Sequence, residues 1–266
     1  MFLPTPAPIR PAETDFVWVI VPFSRPENLN LVLSNFNRQT FPKKKLVLVE
    51  NGRAVGAAHG IGIGSDSRHS PAPLVLTSER HQSIAKNTAL KEIRQRGGGF
   101  TVVMDDDDWY GPEFVAEAAG YARTYDIIGK VRHFTSVDGH LWLCARERAL
   151  RPARTLAGST IACWAERCPD YPMDKVGEEA ALCNRAERMG MSIFATDIYH
   201  YVCRRSSGGR HTWPITNERL REHESACHAL DLGEEDLDIV TGAKRDVQTV
   251  LLAPRIINRP HANTGT

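Results

Sequence analysis

The stretch FVWVIVPFSRPENLNLVLSNFNRQTFPKKKLVLVE, residues 16–50, contains two apolar runs separated by a helical pattern. The first run, residues 16–23, has no charged residue and is typical of a strand buried on both faces. Ser24 and Glu27 then show the spacing of a capping box at a helix start, and residues 45–50 predict a second buried strand. A strand–helix–strand unit of this kind joins parallel strands. The stretch therefore predicts a parallel sheet with helices packed on it.

Four consecutive aspartates, Asp105–Asp108, directly follow a further apolar run at residues 100–104. A helical pattern over residues 82–95 precedes that run, so the aspartates are expected at the carboxyl end of a parallel strand. This edge of an open α/β sheet is where ligands bind. Adjacent carboxylates repel one another unless positive charge lies among them. Carboxylate oxygens suit Mg²⁺ or Mn²⁺, which keep coordination positions free for phosphate oxygens. The sequence therefore predicts a site for a divalent cation and a diphosphate.

The rest of the chain shows weaker helix and strand patterns. The expected elements are a short strand at 73–78, a helix beginning near Pro112, two strands within 126–145 around a turn at Asp138–Gly139, a helix over 177–190 and a polar helix over 217–231. Residues 52–73 are rich in glycine and are expected to form a loop. The absence of an internal repeat or a clear linker favours a single domain over residues 16–250, between an extended arm at 1–15 and a tail at 251–266.

The composition is that of an ordinary globular protein. The 266 residues carry a formal net charge of +1, which gives no electrostatic reason to expect a polyanionic partner. The six cysteines include no CxxC pair, so free thiols in a reducing compartment are expected. The N-terminus has neither the basic nor the long apolar region of a secretory signal, and no run reaches the ~18 apolar residues that span a bilayer. A cytoplasmic protein is expected.

Five segments occur in an order that resembles the family-2 glycosyltransferases of the A-type fold: VIVPFSRPENLNLVLSNFNRQTFP, LVLVENG, SIAKNTAL, VVMDDDDWYGPEF and GEEAALCNRAERMG. The resemblance covers about residues 16–213. It implies an α/β fold with a central, mostly parallel sheet flanked by helices. The nucleotide-sugar-binding half would occupy residues 16–110, the acceptor and catalytic half 111–215, and a C-terminal helical part 216–250. The resemblance also implies a metal-dependent, inverting transfer of a sugar from a nucleotide-diphospho-sugar to an acceptor hydroxyl.

In that family an Asp-x-Asp element at the end of a central strand holds a divalent cation, which grips the diphosphate of the donor. Asp105 and Asp107 match this element, and Asp107 is the first choice for the metal ligand, with Asp105 beside it. Asp106 and Asp108 have the same spacing, so the register of the element stays open. Asp105 and Asp106 are also expected to contact the nucleotide.

The other donor contacts implied by the resemblance come from two strand ends and a helix. Phe23 and Arg25 are expected near the base or ribose, and Glu50 is expected to accept a hydrogen bond from a base N–H. Lys86 stands where the family commonly has arginine. It would contact phosphate as a point charge, and a plain surface charge is the alternative.

A catalytic base and a late histidine complete the implied site. The attacking hydroxyl needs a base, and a carboxylate can serve. Glu179 matches the second acid of the family's usual pair and is the expected base, with Glu178 as its catalytic neighbour. The alternative is that both acids only complement the dipole at the start of their helix. His211 is the candidate for the histidine that members of this fold often supply to the metal, with His200 in reserve.

Contacts to the donor sugar and the acceptor are expected from Trp109 and from a turn that resembles the family's glycine–serine loop, formed by Gly158, Ser159 and Thr160. The acceptor itself is open. A polysaccharide, a lipid-linked sugar, a protein side chain, a small metabolite and a hydroxymethylated DNA base are all compatible with the sequence.

Three other functions stay open on the sequence alone. A nucleotidyltransferase or phosphotransferase would also place paired acids on a parallel sheet, but it would ordinarily carry a glycine-rich phosphate loop near the first strand, and PFSRPENL is not one. The arginines around 204–210 and 244–258 keep a glycosyltransferase for modified DNA bases in view. A catalytically degenerate module could bind a nucleotide-sugar without transferring it.

Overall fold

The computed structural model describes residues 16–52, 55–57, 72–79, 81–145, 149–173, 177–206, 215–222, 227–230 and 240. The N-terminal arm, the C-terminal tail, most of the glycine-rich loop and His211 lie outside these residues. Within them, no helix combines the length and the apolar character needed to cross a membrane.

An eight-stranded sheet carries the strand ends that the sequence placed around the aspartates. Numbered in chain order across both sheets of the protein, its strands are β1 (Val17–Phe23), β2 (Lys44–Asn51), β3 (Leu74–Ser78), β4 (Phe100–Val103), β6 (Ile127–Gly129), β9 (Arg151–Pro152), β10 (Ala162–Trp164) and β11 (Ile193–Ala195). Their spatial order is β3-β2-β1-β4-β10-β6-β11-β9. Strand β1 is parallel to β2 and β4, and β2 is parallel to β3. The carboxyl ends of these four strands therefore share one edge of the sheet, as predicted.

A second, five-stranded sheet lies beside that edge. Its strands are β5 (Trp109–Tyr110), β7 (Arg132–Val137), β8 (His140–Ala145), β12 (Tyr201–Arg205) and β13 (Cys227–Ala229), in the spatial order β13-β8-β7-β12-β5. Because β5 begins directly after the four aspartates and pairs with β12, this sheet brings β12 next to them.

The helices alternate with the strands of the larger sheet. They are α1 (Leu29–Asn37), α2 (Gln82–Gln95), α3 (Phe114–Tyr121), α4 (Glu178–Arg188) and α5 (Asn217–Glu222), with short 3₁₀ helices at Pro26–Asn28 and Gly158–Thr160. The predicted helix over 82–95 has these bounds in the structure. The predicted α/β class and the strands around the aspartates are likewise confirmed.

Strand β1 sends alternate side chains into two hydrophobic cores. Val19 and Val21 belong to the core that contains residues of α1 and α3. Trp18 and Ile20 belong to the core that contains residues of α2 and α4. Successive side chains of a strand point to opposite faces, and helices cover both faces here, so every position of the strand requires an apolar residue.

Two predicted elements differ in the structure. The segment expected as one strand before the turn at Asp138–Gly139 contains two, β6 and β7, which belong to different sheets because the chain leaves the larger sheet at Lys130. The polar helix expected over 217–231 ends at Glu222. After it, Cys227–Ala229 forms β13, which pairs with β8 and buries Cys227. Burial of apolar side chains against β8 outweighs the weak helical pattern in this segment.

Candidate functional site

The four aspartates, Asp105–Asp108, form a bend between β4 and β5, which we call the acid bend. Three of them point at a common centre. Asp105, Asp107 and Asp108 each place a carboxylate oxygen within 4.8 Å of the others. Oδ1 of Asp105 is buried and has no hydrogen-bond partner among the described residues. Burial and the neighbouring carboxylates raise the pKa of Asp105 to about 7, against the opposing effect of Lys86. An unsatisfied, buried carboxylate oxygen facing two others fits a hard divalent cation.

Asp106 serves a different purpose from the other three aspartates. Its Oδ2 accepts hydrogen bonds from the backbone N–H of Ser24 at 2.8 Å, from the Ser24 hydroxyl at 3.3 Å and from the backbone N–H of Arg25 at 3.1 Å. Asp106 thus ties the turn after β1 to the acid bend. This favours the Asp105 and Asp107 register for a metal. The capping-box interpretation of Ser24 is wrong, because its hydroxyl is engaged by Asp106 and the adjacent 3₁₀ helix has no side-chain cap.

Two arginines from different strand ends supply positive charge among the four aspartates. Arg25 forms an ion pair with Asp107 and a longer one, 3.4 Å, with Asp106. Arg205, at the end of β12, lies 2.9 Å from Asp108 and 3.7 Å from Asp107. Asp108 has no exposed surface, so its partner Arg205 offsets part of the cost of burying that charge.

Two tyrosines connect the acid bend to the glycine–serine turn. The hydroxyl of Tyr110 accepts a hydrogen bond from the backbone N–H of Asp105 at 2.7 Å and donates one to the carbonyl of Ser159 at 2.8 Å. The hydroxyl of Tyr201 donates to Asp108 at 2.7 Å and lies 2.5 Å from the hydroxyl of Ser159. Both tyrosines, Ser159 and Asp108 are buried, so the turn is held in a fixed position relative to the aspartates.

The two glutamates that begin α4 have different surroundings. The buried Glu178 accepts hydrogen bonds from the ammonium group of Lys86 at 2.6 Å and from the hydroxyl of Ser83 at 2.9 Å. Glu179 faces the glycine–serine turn, where a Cβ placed on Gly158 would lie 3.4 Å from its Oε2. Its carboxylate has no hydrogen-bond or ion-pair partner among the described residues. The surface-charge alternative for Lys86 is wrong, because the residue is 1% exposed.

The structure gives packing or hydrogen-bonding roles to several other predicted contacts. Phe23 is fully buried in the core below the site, so its ring has no face open to a base. Glu50 is also fully buried and accepts a hydrogen bond from the backbone N–H of Gly56 at 2.8 Å. Trp109 is buried, and the guanidinium carbon of Arg38 lies 5.3 Å from its ring centre. Each of these three side chains is therefore engaged by other groups of the protein.

Thr160 and His200 are also held by groups away from the aspartates. The hydroxyl of Thr160 accepts from the backbone N–H of Lys130 at 2.9 Å and donates to the carbonyl of Ala157 at 2.7 Å. The pKa of His200 is lowered to about 4 by burial and by Lys130, against the opposing effect of Asp197. Among the described residues, the carboxylate cluster includes no histidine. His211 lies outside the described residues.

Sequence patterns did not indicate the roles of Tyr110, Tyr201, Ser83 and Arg205. Arg205 contacts Asp108 from 97 positions away, and Tyr201 from 93. Such pairs depend on how β5 and β12 align. The available signal in the sequence was a pair of arginines following an apolar strand, which is too common to assign a partner.

Comparisons with known proteins identify the fold. No family model and no curated protein matches the chain. Among solved structures, the mannosyltransferase PcManGT from Pyrobaculum calidifontis, in complex with GDP-Man and Mn²⁺, matches 78% of this chain with a TM-score of 0.53 and 18% identity. This chain spans 62% of that protein.

Two further solved structures match over similar lengths. The match with TarS residues 1–349 from S. aureus, in complex with UDP-GlcNAc, covers 85% of this chain and 70% of that protein. Its TM-score is 0.50 and the identity is 16%. The match with GalNAc-T7, with UDP, GalNAc and Mn²⁺, covers 71% of this chain and 44% of that protein. Its TM-score is 0.51 and the identity is 12%. All three are A-type glycosyltransferases. The described part of the chain therefore has the A-type glycosyltransferase fold.

Proposed function

We propose that this protein transfers a sugar from a nucleotide-diphospho-sugar to an acceptor hydroxyl, with inversion at the anomeric carbon and with a divalent cation held by Asp105, Asp107 and Asp108. One observation carries the proposal. At the carboxyl edge of the parallel strands, three carboxylates converge around a buried oxygen of Asp105 that has no hydrogen-bond partner in the described ranges.

The acid bend would bind the diphosphate of the donor nucleotide-sugar. Asp105, Asp107 and Asp108 would hold Mn²⁺ or Mg²⁺ there, and the cation would supply positive charge to the leaving diphosphate. Arg25 and Arg205 lie beside the same carboxylates, and their guanidinium groups have the planar donor geometry that phosphate oxygens accept. The matched proteins carry GDP-Man, UDP-GlcNAc or UDP, which sets the first donors to be tried.

Glu179 is the proposed catalytic base. It follows Glu178, whose carboxylate is already engaged by Lys86 and Ser83, and it faces the turn at Gly158. That turn is joined to the acid bend through Tyr110 and Ser159. A carboxylate without a partner among the described residues is available to accept the proton of an attacking hydroxyl. A single displacement assisted by such a base inverts the sugar's configuration.

The test is a thermal-shift screen of nucleotide-sugars and nucleoside diphosphates, each with and without Mn²⁺ and Mg²⁺. We expect one nucleotide class to raise the melting temperature in a cation-dependent way, because ligands that bind the native state stabilise it. Asp107→Ala should abolish the cation-dependent part of the shift. A hydrolysis assay of the stabilising nucleotide-sugar without acceptor then separates a transferase from a binding module.

The matched control is Asp170→Ala, which also removes one carboxylate paired with an arginine, but at a side chain that is 61% exposed and belongs to the surface pair with Arg94. It should leave the cation-dependent shift unchanged. If no nucleotide responds to either cation, or if Asp107→Ala behaves like Asp170→Ala, the proposed function is wrong.

A further inference from the structure

Arg25 holds the carboxylate that a cation would need. Its Nη1 forms an ion pair with Oδ2 of Asp107, and Asp107 is one of the three residues whose oxygens converge. A carboxylate oxygen that binds a guanidinium group at close range cannot give the same lone pair to a metal ion. Arg25 and a divalent cation therefore compete for this oxygen, because the two positive charges repel each other when both lie beside it.

Arg25 is also the more exposed of the two arginines at the site. Its side chain is 22% exposed, compared with 11% for Arg205. Arg205 donates to the fully buried Asp108 at 2.9 Å and to the carbonyl of Arg204 at 2.5 Å. Moving Arg205 would leave Asp108 buried without its cationic partner, which is costly. Moving the side chain of Arg25 exposes a carboxylate that already reaches the surface.

The backbone of Arg25 stays in place when its side chain moves. Its N–H donates to Oδ2 of Asp106 at 3.1 Å, next to the N–H of Ser24 at 2.8 Å. Asp106 thus fixes the start of the side chain beside the acid bend. The long, flexible stem allows the guanidinium group to leave Asp107 and still remain within the site.

We propose that Arg25 is a displaceable counter-ion: it neutralises Asp107 in the empty site, gives way when a divalent cation binds, and then binds the diphosphate of the nucleotide. The inference rests on the proposed function and adds a mechanism by which cation and nucleotide bind cooperatively. A guanidinium group released beside a bound cation is repelled by that cation and attracted to phosphate oxygens, which it can bind through two donors.

Cooperativity follows from linkage. Binding of the cation alone requires loss of the Arg25–Asp107 pair, so its affinity is reduced by the strength of that pair. When a nucleoside diphosphate is present, Arg25 gains phosphate contacts, and these offset the free energy lost with the Arg25–Asp107 pair. Each ligand must then strengthen the binding of the other by the same factor.

The test measures Mn²⁺ binding to the full chain without nucleotide, by the electron paramagnetic resonance signal of free Mn²⁺. Arg25→Gln should bind Mn²⁺ about tenfold more tightly than the wild type, the size expected for loss of a competing charge-assisted hydrogen bond. Arg25→Lys keeps the charge and should stay close to the wild type. Arg96→Gln is the matched control, because it removes one arginine from the exposed pair with Glu92, and it should change nothing.

A second titration measures UDP and GDP binding in saturating Mn²⁺. Arg25→Gln should weaken the binding of whichever nucleotide the wild type accepts by about tenfold, because the phosphate contact is lost. The factor by which Mn²⁺ and nucleotide strengthen each other's binding should become smaller in this variant. Unfolding curves of each variant confirm that the protein is folded.

Three outcomes contradict the inference in different ways. Equal Mn²⁺ affinity in the wild type and Arg25→Gln would show that Arg25 does not compete, and would leave the proposed function intact. Tighter Mn²⁺ binding with undiminished nucleotide affinity would overturn the diphosphate role. Absence of Mn²⁺ binding in wild type, Arg25→Gln and Asp107→Ala alike would overturn both the inference and the proposed metal site.

Discussion

The hydroxyl of Tyr201 donates a hydrogen bond to the carboxylate of Asp108 at 2.7 Å across 93 positions of the chain. The same hydroxyl lies 2.5 Å from that of Ser159. Tyr201 therefore joins the second sheet to the acid bend of the first sheet and to the turn that faces Glu179. Its ring is also buried, 5.4 Å from that of Tyr110.

Tyr201→Phe should lower the free energy of unfolding by about 1–3 kcal/mol, because Asp108 loses a buried donor. It should also reduce the cation-dependent thermal shift, since Asp108 and the turn lose their shared contact. Urea denaturation and thermal-shift measurements check the two effects. Tyr121→Phe is the control, because the half-buried Tyr121 hydroxyl has no hydrogen bond to another described residue. Equal stability of both variants would show that the Tyr201 hydrogen bond contributes nothing.

Asp106→Ala should destabilise the protein by about 2 kcal/mol, because three donors of the turn after β1 lose their acceptor. Asp107→Ala should be less destabilising, because the Asp107 side chain is more exposed than that of Asp106 and ion pairs near solvent contribute little. Urea denaturation of the two variants under the same cation-free conditions makes the comparison. A larger loss in Asp107→Ala would mean that the structural and metal-binding roles of these aspartates are exchanged.

Glu178→Gln and Glu179→Gln should separate folding from catalysis. Glu178→Gln leaves Lys86 without its buried carboxylate and should cost about 3 kcal/mol of stability. Glu179→Gln should leave stability and nucleotide binding unchanged and reduce transfer by about 10²- to 10⁴-fold, the usual contribution of a general base. Urea denaturation, the thermal shift with nucleotide and product formation from the stabilising donor are the readouts. Normal transfer by Glu179→Gln would exclude it as the base.

Glu117 should make stability depend on pH. Burial raises its pKa from 4.5 to about 8, against the opposing effect of Lys130. The native state therefore holds a proton that the unfolded chain releases at lower pH, so this group's contribution to stability decreases as the pH rises from about 4.5 to 8. Urea denaturation between pH 5 and 9 should show this decrease in the wild type.

In Glu117→Gln the decrease should be smaller, because the amide does not titrate. Lys130 and Asp197 contact the same carboxylate, and they are unchanged in the variant. Parallel curves for the two proteins would show that Glu117 ionises normally and that its ion pair with Lys130, at 2.7 Å, outweighs the cost of burial.

Local sequence patterns were sufficient to predict the strands and helices around the site. Residues 16–23 are apolar at every position, and the structure explains this by two cores on opposite faces of β1. Helix α2 has the predicted bounds, but its sequence pattern did not indicate that polar residues lie on its inward face. Lys86 and Ser83 are buried there, whereas Ile84 is half-buried. A polar pair that meets Glu178 inside the protein cannot be recognised from helical periodicity, because the partner is on α4.

The sequence by itself determined the order of strands and helices and the location of four carboxylates at a strand end, since both depend on residues that are neighbours in the chain. Only the tertiary structure decided which aspartate holds the β1 turn and that Arg25 and Arg205 neutralise the others. It also decided that Glu178 is engaged while Glu179 has no partner within the part of the chain that the structure describes. These roles follow from the alignment of strands and helices that are distant in the chain. Side-chain pairing across such distances leaves no periodic signal in the residues themselves.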